Sequence, residues 1–132
     1  MTAGYSGTPL WKKLGLADGM ATSVMNAPEG YGELVAGPAP HWGRLRDGLA
    51  FRHLFVTRRR ELAAGLEATL PRMARDGMIW VSWPKKSSGV PSEVTEDTVR
   101  EIALPMGLVD VKVCAVDAVW SGLKLVIRKE LR

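Results

Sequence analysis

FRHLFVTRRRELAAGLEATLPRMARDGMIWVSWP, residues 51–84, is the stretch on which the fold turns. Phe51, Leu54, Phe55 and Val56 make a short apolar run suited to a buried strand. Glu61, Leu62, Leu66, Thr69 and Leu70 then recur at helical spacing up to Pro71 and Met73. Asp76-Gly77 predicts a turn into a further strand, Met78 to Trp83, which Pro84 closes. Strand, helix and strand in succession call for a crossover between parallel strands, and so for a sheet with helices packed on its faces.

The flanking sequence extends that pattern. Thr8 as N-cap, Pro9 at the first helical position, and the apolar Leu10, Trp11 and Leu14 before Gly15 predict a short leading helix. Met20 to Asn26 reads as a buried strand with Ala27-Pro28-Glu29-Gly30-Tyr31 as its exit. A helix is expected from about Glu29 to Ala36, broken by Gly37-Pro38-Ala39-Pro40, and one weak edge strand around Trp42 to Leu45. Downstream, Thr95 with Thr98 caps a helix whose stripe is Val99, Ile102, Ala103 and Met106, ended by Gly107. Val109 to Val116 and Leu123 to Ile127 read as an antiparallel hairpin around a turn containing Ser121-Gly122. In that reading Trp120 sits in the turn and either folds over the sheet edge or anchors a partner, a homodimer joined at the hairpin being one form of the latter. Trp80 and Trp83 are expected on opposite faces of their strand.

With 132 residues, the chain predicts a single α/β domain spanning 1–132. A net charge of +4 spreads over 18 basic and 14 acidic residues; it permits contact with nucleic acid without implying it, since no basic helix interleaved with aromatic residues accompanies it. Cys114 is the single cysteine, so no internal disulfide can form, and two histidines supply no zinc spacing. Met1 to Thr8 lacks a basic and apolar leader and no run reaches membrane-spanning length, so a cytoplasmic protein is expected.

The closing half of the chain, a strand and helix over Met78 to Met106 followed by a reversed hairpin, resembles that of class I methyltransferases. The segments GYSGTPLWKKLGL (4–16), WVSWPKKSSGVPSEVTED (80–97) and VDVKVCAVDAVWSGLKLV (109–126) resemble an uncharacterised bacterial family of small proteins classed as a domain of unknown function, over nearly the whole chain. The resemblance implies a three-layer Rossmann-like α/β fold, a truncated class I methyltransferase-like domain with a mostly parallel sheet ending in an antiparallel hairpin. It also implies S-adenosylmethionine as a cofactor to be weighed. The first loop, Asn26-Ala27-Pro28-Glu29-Gly30, has one glycine where that cofactor wants several, and Asp47 is the one acidic residue near the end of the second strand that could hold ribose hydroxyls.

Open α/β sheets bind ligands beyond the carboxyl ends of the strands, where strand order reverses. The methyltransferase-like order would set Asn26 to Tyr31 opposite Thr57 to Arg60. Arg58, Arg59 and Arg60 open a helix, where cations sit poorly against the positive end of its dipole, and Lys85-Lys86-Ser87 leave the adjacent strand. The expected ligand-binding set is therefore Asn26, Glu29, Gly30, Thr57, Arg58, Arg59, Lys85, Lys86 and Ser87, a basic edge for a small anion. The competing reading is a solvated surface answered by Glu61, Glu67, Glu93 and Asp97. No catalytic residue or metal ligand is assigned: His53 lies between Phe51 and Phe55 and reads as a buried structural histidine, Cys114 as an inert core thiol, and no serine sits in a nucleophile elbow.

Overall fold

The computed structural model describes residues 7–132; residues 4–6, which open the first motif, lie outside them. The elements in chain order are α1 (Leu10–Leu14), β1 (Ala21–Met25), α2 (Tyr31–Leu34), β2 (His41–Trp42), β3 (Leu49–Phe55), α3 (Arg59–Thr69), β4 (Met73–Pro84), α4 (Glu96–Ala103), β5 (Leu108–Ala115) and β6 (Trp120–Ile127), with single 3-10 turns after several of them. One six-stranded sheet runs β2-β1-β3-β4-β6-β5. The first four strands are parallel to one another, and β6 is antiparallel to both β4 and β5. The mostly parallel sheet ending in an antiparallel hairpin is thus as the sequence predicts.

Two apolar clusters sandwich the sheet. On one face Leu62 and Leu66 of α3 and Val99 and Ala103 of α4 pack on Leu54, Ile79, Val81, Trp83, Leu123 and Leu125. On the other, Leu14 of α1 and Tyr31 of α2 pack on Phe51, Phe55 and Trp80. Trp80 and Trp83 therefore do face opposite ways, and the Trp80 indole N–H is satisfied by the Leu14 carbonyl at 2.9 Å. Each such buried side chain contributes on the order of 1.5–3 kcal/mol. Gly65 lets α3 lie against the sheet: a Cβ there would stand 3.1 Å from a Leu54 methyl.

Several sequence expectations are corrected by packing. α1 is capped by Pro9 rather than Thr8, and α2 is one turn rather than the span Glu29 to Ala36. β2 is two residues, His41–Trp42, instead of Trp42 to Leu45. Asp76-Gly77 is no turn: β4 begins at Met73, which pairs with Leu49, and the extra residues before the Phe51–Met78 pair bulge out of register. Gly77 permits this because a Cβ would meet the Leu49 carbonyl oxygen at 2.8 Å. Ser121-Gly122 is no turn either; both lie in β6, and a Gly122 Cβ would press on the Trp80 ring at 3.2 Å. Residues 116–119 make the reversal, where the Asp117 carboxylate accepts the N–H groups of Val119 and Trp120 at 2.8 and 2.7 Å. Trp120 is consequently a half-buried strand residue folded onto Phe55, edge to face at 5.0 Å.

Candidate functional site

Strand order reverses between β1 and β3: β2 lies on one side of β1, and the chain crosses back to place β3 on the other. The exits of β1, β3 and β4 all leave on one rim, because these strands are parallel and adjacent. Asn26, Glu29 and Gly30 lie beyond β1, Thr57, Arg58 and Arg59 beyond β3, and Lys85, Lys86 and Ser87 beyond β4. The basic segments after β3 and β4 therefore share an edge.

Their chemistry differs from one exit to the next. The exits of β1 and β3 are linked by one side-chain contact, and the loop after β1 is exposed. Asn26, in the left-handed region at φ 57°, donates its side-chain amide to the Phe55 carbonyl at 3.4 Å, tying the two strand ends. Beneath it Tyr31, Phe55 and Trp120 pack edge to face. Deeper still, the Tyr31 hydroxyl meets His53 Nδ1 at 2.9 Å and His53 Nε2 meets Ser82 Oγ at 2.7 Å. Burial pushes the His53 imidazole down to about 3, so it stays neutral, and pushes the Tyr31 phenol well above its ordinary value. The three groups satisfy one another inside the core; Ser82 and His53 are fully buried, so this is the structural histidine expected from sequence rather than a reactive triad.

Beyond β3 acidic residues engage the arginine segment. Glu61 accepts the backbone N–H groups of Thr57 and Arg58 at 3.0 and 3.1 Å, which holds its carboxyl below the usual range, the Thr57 bond being the largest cause. Glu93 accepts the Arg59 N–H at 3.0 Å, and the Arg59 guanidinium pairs with Glu101 at 2.5 Å. Arg59 is thereby committed to an ion pair, while the exposed Arg58 and Arg60 enter no ion pair among the described residues. Two of the partners, Glu61 and Glu93, are among those anticipated; Glu101 is not.

The exit of β4 is open. The chain leaves Pro84, makes a short 3-10 turn over Lys86–Ser88, reverses at Gly89 (φ 76°) and returns to the β3 exit, where the Glu93 N–H donates to the Thr57 carbonyl at 2.8 Å. Between this loop and the strand end lies a cavity of about 400 Å³ lined by Trp83, Pro84, Lys86, Gly89, Val90, Ser92, Val94 and Thr95. Its walls are largely apolar. The Ser92 hydroxyl is engaged with Val94 backbone atoms and the Thr95 hydroxyl caps α4, which leaves the Lys86 ammonium and the Trp83 indole N–H as lining side-chain groups with no partner among the described residues. Of the residues predicted from sequence only Lys86 lines this cavity. Trp83, Val90 and Val94 were missed as site residues because an apolar residue in a strand or loop is indistinguishable from core until the loop's return path is known.

Sequence reasoning also passed over Arg52. Its guanidinium is buried, bonded to Ser23 Oγ at 2.6 Å and Thr69 Oγ1 at 3.3 Å, and burial lowers its pKa. Thr69 ends α3, whose carbonyl end favours a cation, so the group reads as structural. Among the described residues no cluster of three or more His, Cys, Asp or Glu could hold a metal ion, and no helix is long and apolar enough to cross a membrane.

Comparison with known proteins bears on this geometry. A family model described as "Protein of unknown function (DUF3052)" matches residues 55–129. No curated protein matches the sequence. Among solved structures the chain is similar to LepI in complex with SAM (14% identity, TM-score 0.57, covering 92% of this chain and 47% of that one). It is also similar to Aeropyrum pernix fibrillarin with natively bound S-adenosyl-L-methionine (14% identity, TM-score 0.59, 93% and 70%). A third is the magnesium protoporphyrin IX methyltransferase ChlM from Synechocystis with bound SAM (11% identity, TM-score 0.57, 89% and 74%). The chain spans about half the length of LepI. Identities this low establish the fold, a Rossmann-like domain of the methyltransferase type, and leave the chemistry to the site.

Proposed function

This chain belongs to the family of proteins of unknown function DUF3052, so its activity has to be argued from its own site, and we propose that it is a cytoplasmic ligand-binding domain holding a small amphipathic anion at the β4 exit. The observation that carries this reading is the cavity itself: about 400 Å³, within the range of small-molecule sites, with an apolar floor at Trp83, Val90 and Val94 and a single uncommitted cation, Lys86, at its border. An apolar body against the tryptophan and a carboxylate, sulfonate or phosphate on the ammonium would satisfy both. Arg58 and Lys85, exposed or half-buried on the same rim, add positive potential that steers such a ligand inward.

Two measurements test it. Native mass spectrometry of protein purified without added ligand should show a retained small anionic molecule. Anilinonaphthalene sulfonate, an apolar body with one negative group, should bind saturably. Val90→Trp, which fills the cavity, should abolish that binding, and Lys86→Glu should weaken it roughly tenfold. Wild-type affinity for the probe in both variants would remove the proposal.

A divergent S-adenosylmethionine-dependent methyltransferase is the second reading. It is favoured by strand order, since the reversal between β1 and β3 is where the fold's ligands sit and several similar structures hold that cofactor. The residues at the reversal do not fit the cofactor. The exit of β1 offers Asn26, which leans its amide on the Phe55 carbonyl at 3.4 Å, and the single glycine Gly30, where the cofactor ordinarily calls for a glycine-rich turn. At the end of β2 the Arg46 guanidinium donates to the carbonyls of Thr22 and His41 at 3.1 and 2.9 Å, where a ribose would call for a carboxylate. Asp47 cannot serve instead, because it stands beside Gly48 at the start of β3, near Arg72 at 3.9 Å, on the opposite edge of the sheet. Titration calorimetry with S-adenosylmethionine and its demethylated product should give no heat; a stoichiometric isotherm would put this reading first.

A further inference from the structure

On the sheet face opposite the cavity, Lys112 of β5 is the direct cross-strand partner of Lys124 of β6, which in turn is paired with Trp80 of β4. Like charges placed opposite one another in a sheet repel, so this pair is unfavourable unless something lies between the ammonium groups. The Lys112 ammonium sits 6.0 Å over the Trp80 ring, and Cys114 occupies the next position of β5 on the same face. Lys13, in the last turn of α1, comes near enough that its charge, with that of Lys112, favours the Cys114 thiolate against the opposing effect of burial. Partial burial and Lys112 together depress Lys124. Every ion pair among the described residues uses an arginine, so none answers these lysines. The first six residues, MTAGYS, contain no carboxylate side chain that could do so.

We propose that Lys13, Lys112 and Lys124 form an anion site for a phosphate dianion, free or as the end group of a small phosphate ester, on the β5–β6 face beside Cys114. A dianion between the paired ammonium groups turns their repulsion into two charge-assisted contacts, and the third lysine brings the site to net positive charge. The site is on the other face of the sheet from the cavity and is independent of the reading given for it.

The single cysteine supplies the readout. Inorganic phosphate is titrated against the full chain at constant ionic strength maintained with chloride, while alkylation of Cys114 by iodoacetamide is followed at mildly alkaline pH. Phosphate should slow alkylation saturably and several-fold, because cancelling the lysine charges removes what favours the thiolate. The Lys112→Gln/Lys124→Gln variant should alkylate more slowly than wild type without phosphate and respond no further to it, with an unchanged circular dichroism spectrum. If that variant fails to fold, Lys112→Gln alone, at the more exposed position, should show the same loss of response. Glycerol phosphate is the second arm: protection by either compound supports the site and tells whether the free ion or an ester is preferred. Chloride protecting as well as phosphate, or full protection of the lysine variant, overturns the proposal.

Discussion

The β1/β3 exit and the β4 exit lie on the same rim, a strand apart, and are filled in opposite ways. At the first, an asparagine spans the strand ends and three aromatic rings pack beneath it over a Tyr31–His53–Ser82 chain in which each polar group has its partner. At the second, the chain swings out through Lys86–Ser88 and returns, leaving apolar walls and one lysine around an opening. The difference teaches that a shared fold does not fix the chemistry of each strand exit: the ends of β1 and β3 stand on a satisfied polar chain and aromatic packing, while a cavity with apolar walls lies one strand further along.

If that contrast holds, substitutions at the first exit damage stability and those at the second spare it. Phe55→Ala removes the ring that stacks on His53 at 4.2 Å and meets both Tyr31 and Trp120, and should cost about 3–5 kcal/mol in urea denaturation. A loss under about 1 kcal/mol would mean that the first exit is not packed as core.

The next effect is acid sensitivity. The His53 pKa falls from 6.5 to about 3 through burial, so between those values the unfolded chain binds a proton that the native chain does not. Stability therefore drops as pH falls through that window, by at most about 1.4 kcal/mol per pH unit. Glu61, depressed chiefly by the Thr57 N–H, works in the same direction lower down. Urea midpoints measured across pH for wild type and His53→Gln separate the two: the variant should lose the slope above the ordinary carboxylate range. An equal slope in both would place the acid sensitivity elsewhere.

Smallest is the expected change for Lys86→Gln, within about 0.5 kcal/mol of wild type by the same denaturation, since among the described residues its ammonium enters no hydrogen bond or ion pair. A larger loss would make the lysine part of the scaffold and blur the distinction between the two exits.

Much of the fold was readable because its signals are local. The apolar run of β3, the stripe Val99, Ile102, Ala103 with its Thr95 cap, and Gly107 at φ 92° each depend on residues a few positions apart. The errors share one cause. Asp76-Gly77 and Ser121-Gly122 carry turn chemistry, yet both glycines stand where a neighbouring backbone or ring comes too close for a side chain. Close approach across a sheet and a tight turn ask for the same residue, and only the partner strand distinguishes them.

The rim shows the same division. That basic segments after β3 and β4 share an edge followed from strand alternation alone. That Arg59 is neutralised by Glu101, 42 residues on, and that Trp83 floors a cavity while Trp80 is sealed, did not. What the amino-acid order determined by itself was the succession of strands and helices, since short-range sterics and apolar spacing govern each element. Where the β4 exit forms its cavity and which charges find partners was decided by tertiary structure, because burial and ion pairing are properties of the atoms brought together in space and not of their neighbours along the chain.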